Sequence, residues 1–224
     1  MNARNRLIAY VAPMGAFVVM LAANGLLKGI DHSVWLTTPE YWIYPLQTAI
    51  CAALLYWFWP AYSLQRPNRL SLALGIGVAV WLIWIAPQFF LGFPPRTSGF
   101  NPDVFAAQPA LYWPTVILRF LRLVVVVPLV EEIFWRGFLL RYLINEKFDR
   151  VMFGTFSWFS FLGVTLAFTF SHTRPDWAVA VITGMLYNGV AYWTKSLSAC
   201  VVTHAVTNLL LGLWIMQTKQ WGFW

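Results

Sequence analysis

Charge is what this sequence has least of. Only 10% of its 224 residues are Asp, Glu, Lys or Arg, against roughly 25% in a soluble domain. Together with a 60% hydrophobic content and a mean hydropathy of +0.64, that scarcity excludes an ordinary water-soluble globule and defines an integral membrane protein. Cysteine is almost missing. Cys51 and Cys200 lie in different apolar segments, which excludes a disulfide framework. There is no basic cluster and no soluble domain to carry one, so the net charge of +7 belongs to loops and nucleic acid is excluded as a partner. Internal repeats and low-complexity tracts are absent. So are the His-Glu-x-x-His metal motif, the Gly-x-Ser-x-Gly elbow and Gly-x-Gly-Asp, which removes the signatures of several hydrolase classes.

What is present is a series of apolar runs near the length of about 20 residues that a spanning helix needs. They cover 7–27, 41–62, 70–93, 111–143, 156–172, 177–193 and 197–217. The expected fold is all-α, a polytopic membrane bundle of about seven transmembrane helices. Aromatic residues make up 18% of the chain, with 14 Trp, as interfacial belts require. The basic start, Met1 to Arg6, runs straight into the first apolar stretch without a small-residue cleavage site, so it reads as a first helix and not a removed signal. A polar loop from Arg96 to Pro109 divides 1–110 from 111–217. With the N-terminus inside, Arg4, Arg6, Arg66, Arg69, Arg141, Lys147, Arg150 and Lys195 fall on the inner face. Lys28, Arg96, Arg174 and Lys219 fall outside. This imbalance predicts a cytoplasmic N-terminus.

The fourth run is unusual. As one helix it would be roughly 50 Å long, against a hydrocarbon core of about 30 Å, so it must tilt, overhang or bend, with Pro128 as the natural bend. It also holds Arg119 and Arg122 in its first half and Glu131, Glu132 and Arg136 in Pro128-Leu-Val-Glu-Glu-Ile-Phe-Trp-Arg136. A charge at membrane depth costs about 2.5–3.5 kcal/mol or more. Glu132 and Arg136 stand at i,i+4 with the carboxylate first, the favourable order for an ion pair. Glu131 points about 100° away and is left over. The bland reading is that all three snorkel to a boundary.

Three histidines complete the inventory. His32, beside Asp31 and Ser33, reads as a solvated loop residue. His172 ends the fifth run. His204 lies within the seventh and shares a helix face with Asn208 at i,i+4. A lone helical histidine is usually a satisfied structural group, but one unpaired glutamate, two histidines and an amide in one small bundle are the parts of a catalytic or metal site. In a hairpin folded at 145–150, Glu131 and His172 come to similar heights and His204 lies nearer mid-membrane. The 173–176 turn must then sink into the bundle, where irregular backbone is tolerated only along a cavity. Cys200 is also at i,i+4 from His204, so a Cys–His dyad is a rival, although a small buried cysteine is commonly just core.

Glu131-Glu132-x-x-x-Arg136, Phe168-x-x-x-His172 and His204-x-x-x-Asn208, in that order and each in its own apolar run, resemble the CPBP family. This family comprises type II CAAX prenyl endopeptidases and their bacterial, Abi-like relatives, some linked to bacteriocin processing. The resemblance covers about 111–217 and implies an intramembrane protease with a catalytic four-helix core in the C-terminal half, preceded by N-terminal transmembrane helices over 1–110. It implies that Glu131 activates water, that Glu132, Arg136 and Phe168 support it, and that His172, His204 and Asn208 assist the base, stabilise the oxyanion or bind substrate. The implied partner is a membrane-associated or lipidated, CAAX-type peptide or protein, in a bilayer that for bacterial relatives is the inner membrane. Two readings of the cofactor stay open. Glu131, His172 and His204 would make a three-ligand zinc site with an open position, or Glu131 works as a general base with no metal. The second is favoured. Rival functions are a non-catalytic scaffold or regulator with the same fold, and a transporter, against which stands the lack of an inverted repeat.

Overall fold

The computed structural model describes residues 3–28, 30 and 33–224, and everything below concerns these residues. His32 and Asp31 lie outside them. The described chain is entirely helical apart from its connections. Seven helical rods follow one another: α1 (Ala3–Leu27), α2 (Glu40–Trp57), α3 (Leu70–Phe89), the composite α4 (109–142), α5 (Trp158–Phe170), α6 (Trp177–Thr194) and α7 (Leu197–Thr218). Of these, α1, α3 and α7 are each long and apolar enough to cross a membrane, while α5 is a shorter apolar helix of 13 residues. Large side chains such as Val19, Trp113, Ile117, Phe159 and Phe170 are exposed around the outside. In water such surface would be a liability, whereas hydrocarbon accepts it. The protein is an integral membrane helix bundle.

α4 stays helical through Pro128 and alternates α and π turns: Pro109–Leu121 is α, Arg122–Val126 π, Val127–Glu132 α, Ile133–Leu139 π and Leu140–Tyr142 α. In the first π stretch the Val127 N–H reaches back to the Arg122 carbonyl. The next bond of that register would run from residue 128 to the Leu123 carbonyl, but proline has no N–H to give. The widened turns and the missing donor together release a backbone acceptor inside the bundle.

α3 and α7 pack backbone to backbone. A Cβ placed on Gly77 would lie 2.8 Å from the Thr203 carbonyl and 2.9 Å from Val206 Cβ, and Thr207 Oγ1 donates to the Gly77 carbonyl at 2.9 Å. Small residues with a hydroxyl cross-bond are how membrane helices approach closely when no hydrophobic force drives them together. α7 starts on a genuine cap, since Ser196 Oγ accepts from the Ala199 N–H at 3.3 Å. Its far end and that of α6 are closed by Lys219 and Lys195 in the left-handed region.

One hydrophobic core joins both halves of the chain, from Ala9, Tyr10, Cys51 and Ala73 to Val130, Ile133, Phe168, Val190 and Cys200. α5 rises only about 20 Å, so the turn after it stops short of a bilayer face about 30 Å from its start. That turn is held by Thr173 Oγ1 donating to Asp176 Oδ2 at 2.6 Å and by Trp177 Nε1 donating to the His172 carbonyl at 3.0 Å.

Candidate active site

Glu132 and Arg136 form the buried ion pair that their spacing favours. Arg136 Nη1 lies 2.9 Å from Glu132 Oε1, and both side chains are fully buried. The arginine reaches further: Nε donates to Asn188 Oδ1 at 3.1 Å and Nη2 to the Gly184 carbonyl at 3.5 Å. Its guanidinium sits 5.1 and 5.3 Å from the ring centres of Phe168 and Tyr187. Asn188 in turn donates to Thr165 Oγ1 at 3.1 Å. One charge pair thus ties α4 to α5 and α6.

Glu132 carries a second load. His204 Nδ1 stands 2.9 Å from the same Oε1. A carboxylate accepts, so this Nδ1 carries the proton and Nε2 is left as the working nitrogen. His172 is fixed in a parallel way, its Nδ1 lying 2.8 Å from the Phe168 carbonyl, which again places the proton on Nδ1 and leaves Nε2 unengaged. The histidine of α7 therefore leans on Glu132, not on Glu131. A step of one residue turns a side chain about 100° around the axis. That step aims Glu132 at α7 and Glu131 at an open chamber.

This chamber is a cavity of ≈ 400 Å³. Glu131, Phe168, His172, His204 and Asn208 all lie on its wall, while Glu132 and Arg136 sit behind it. Asn208 Nδ2 donates to the Leu123 carbonyl at 2.8 Å, the acceptor that Pro128 and the π turn leave free. The amide is thereby held on the cavity wall with one N–H still to give. Glu131 has no hydrogen bond among the described residues. The wall's other carboxylate, Asp176, is engaged by Arg96 at 2.5 Å. Towards one end the cavity is bounded by Arg96, Thr173, Asp176 and Phe223, all from connections on the C-terminal face.

Among the described residues no three His, Cys, Asp or Glu side chains lie close enough together to hold a metal ion. Glu131, His172 and His204 share the cavity without converging as a ligand set. The Cys–His alternative fails on direction. Cys200 is buried, its Sγ faces the Ser196 carbonyl at 3.4 Å, and it does not reach the cavity.

Several contributors had no role assigned from sequence. Tyr187 and Asn188 brace the ion pair, and an amide inside the apolar run of α6 was the available signal. Arg119 and Arg122 also line the cavity, and their position in an apolar run was the same kind of signal.

The cavity in this helix bundle is thus walled by a carboxylate without a hydrogen bond and by two imidazoles held through Nδ1. A family model described as Type II CAAX prenyl endopeptidase Rce1-like matches residues 113–210, and that segment is similar to this family. No curated protein and no solved structure matches the chain.

Proposed function

We propose that this chain is a glutamate-dependent intramembrane endopeptidase that cuts membrane-associated or lipidated peptide tails. The observation that carries the reading is Glu131. It is a carboxylate on the wall of that chamber, free of hydrogen bonds and facing the same space as two imidazoles with unengaged Nε2 atoms.

In this mechanism Glu131 takes a proton from a water molecule as the water oxygen attacks the peptide carbonyl. The carbonyl π electrons move to oxygen and form a tetrahedral oxyanion. Asn208 and a protonated His204 or His172 supply donors where that charge develops, an effect worth roughly 10²–10³ in rate per donor. Glu132, held by Arg136, stabilises the His204 imidazolium much as a buried acid orients a catalytic histidine. Collapse of the intermediate breaks the C–N bond, and Glu131 returns its proton to the leaving amine. No metal is assigned to the cycle. Residues 1–110 act as more than an anchor in this reading, since Met14, Phe17, Tyr44 and Trp84 complete the cavity wall. The proposed setting is a bacterial inner membrane with the N-terminus cytoplasmic, so the cavity opens towards the outer face.

The test is Glu131→Gln, which keeps shape and removes the base. Purified full chain in detergent is offered a library of acylated and prenylated peptides. The wild type should cleave members of it, and the variant should melt like the wild type and cleave none. Wild-type protein that cleaves nothing while moving a solute into proteoliposomes would sink the reading in favour of transport.

A further inference from the structure

A second cavity lies on the face that carries the N-terminus, and the mechanism above makes no use of it. Its volume is ≈ 290 Å³. Three cations far apart in sequence converge on it: Arg66 from the α2–α3 connection, Arg141 from the end of α4 and Lys195 from the α6–α7 turn. The wall also holds a carboxylate, Asp149, which Arg6 already pairs with at 3.0 Å. Among the described residues none of the three cations forms an ion pair. Two of them are held in place by neutral groups. Arg141 Nε donates to the Gly137 carbonyl at 2.6 Å and Nη1 to the Val151 carbonyl at 3.5 Å, while Nη2 shares the Gly137 oxygen. Its guanidinium lies 5.1 Å from the Phe148 ring centre and 5.7 Å from that of Tyr10. Lys195 Nζ donates to the Gly154 carbonyl. Carbonyls and rings fix a cation in position without cancelling its charge. They also leave both side chains with N–H groups to give, since a guanidinium has five donors and an ammonium three. Arg66 is exposed and makes no hydrogen bond among the described residues.

We infer that this cavity binds the phosphate group of an anionic ligand. Like charges gathered around one concavity repel one another, and a bound anion turns that repulsion into attraction. Phosphate presents acceptor oxygens in several directions, which suits donors arriving from three separate connections. A carboxylate presents its two oxygens in one plane. Ser63 and Asn68 lie on the same wall and add neutral donors. The volume leaves room for the group that the phosphate esterifies. The cavity sits where α4 and α6 end and α7 begins, which is the level of the lipid headgroups at the ends of spanning helices. A basic pocket between membrane helices on this side is a general means of holding a lipid phosphate, and a soluble phosphate would enter the same site from water. Lys and Arg spread over separate loops would only bias the orientation of the chain. Here they share one concave wall, with two of the three anchored.

The test reads binding alone. Full-length protein in dodecylmaltoside is titrated, by microscale thermophoresis, with dihexanoyl phosphatidic acid, dihexanoyl phosphatidylcholine and inorganic phosphate. Phosphatidic acid should bind about tenfold or more tightly than phosphatidylcholine, whose choline cancels the phosphate charge. Arg66→Gln breaks no hydrogen bond, so it should melt like the wild type while its affinity for phosphatidic acid falls about fivefold. Arg66→Lys keeps the charge and should stay within about twofold of the wild type. Arg4 is exposed on the same face but outside the cavity, and Arg4→Gln should change the affinity by less than about twofold. Equal binding of the two lipids by the wild type would overturn the site. So would an Arg66→Gln affinity equal to that of the wild type, or equal losses in Arg4→Gln and Arg66→Gln, which would reduce the effect to a generally positive face. Inorganic phosphate identifies the source of the ligand. Binding about tenfold weaker than that of phosphatidic acid supports a lipid headgroup, and binding of equal strength that Arg66→Gln weakens supports a soluble phosphate.

Discussion

Glu131 and Glu132 are chemically identical neighbours, and their surroundings separate them. Glu132 is fully buried, accepts from both Arg136 and His204 on Oε1, and leaves Oε2 buried without a partner. Removing one member of a buried pair strands the other, at about 3–5 kcal/mol. Glu132→Gln and Arg136→Ala are therefore expected to lower the yield of folded protein and the melting temperature, with activity lost as a consequence. Thermal unfolding in detergent separates them from Glu131→Gln, which should leave the transition in place. A second expectation concerns metal. If Glu131 acts alone on water, strong chelation should leave turnover of a cleaved peptide unchanged and elemental analysis should find less than one metal per chain. Loss of activity that zinc restores would instead bind Glu131, His172 and His204 into a ligand set. At this scale the i,i+4 pairing of Glu132 with Arg136 was legible, because it is local to one helix. The choice of His204 for Glu132 was not. It depends on how α7 is rotated against α4, which one-residue differences along a single helix do not encode.

Among the elements, α4 shows how a backbone irregularity frees an acceptor that a side chain on the cavity wall takes up. Spacing and composition anticipated a long apolar rod that must tilt, overhang or bend, with Pro128 as the natural bend. The rod is there, and it stays helical through Pro128 with a π stretch on either side of that turn. π turns depend on neighbours filling the widened helix, so sequence alone could not foresee them. The consequence is specific. The Leu123 carbonyl, left over by the π register and by proline, orients Asn208. Pro128→Ala restores an N–H at that position and gives Leu123 a partner within its own helix. The expected result is a more stable α4 and a less active enzyme, with cleavage falling to the level of Asn208→Ala while the melting temperature holds or rises. If Pro128→Ala cleaves at the wild-type rate, Asn208 does not depend on that carbonyl for its placement. The short α5 follows the same logic. Its end was expected to sink beside a cavity, and Thr173 and Asp176 do line one.

Across the whole molecule, the connections sort onto two faces. Arg6 pairs with Asp149 at 3.0 Å, Tyr62 OH bonds the Ala9 carbonyl at 2.8 Å, and Lys195 Nζ bonds the Gly154 carbonyl on one face. Lys28 with Glu40, Arg96 with Asp176 and Lys219 with Asp103 gather on the other. These groupings agree with the alternation expected from seven crossings. Which face meets the cytoplasm rests on the Lys and Arg excess around the N-terminal face, and it decides where substrate arrives, since the cavity is bounded by Arg96, Asp176 and Phe223 on the opposite side. Both native cysteines are buried, so the chain offers little background to a membrane-impermeant thiol reagent. Glu146 and Thr97 are exposed on the two faces. In intact bacterial cells Thr97→Cys should react with the reagent, and Glu146→Cys should react only after the membrane is opened. The reverse pattern would invert the protein, turn the cavity towards the cytoplasm, and make a newly synthesised cytoplasmic tail the substrate in place of one presented from outside.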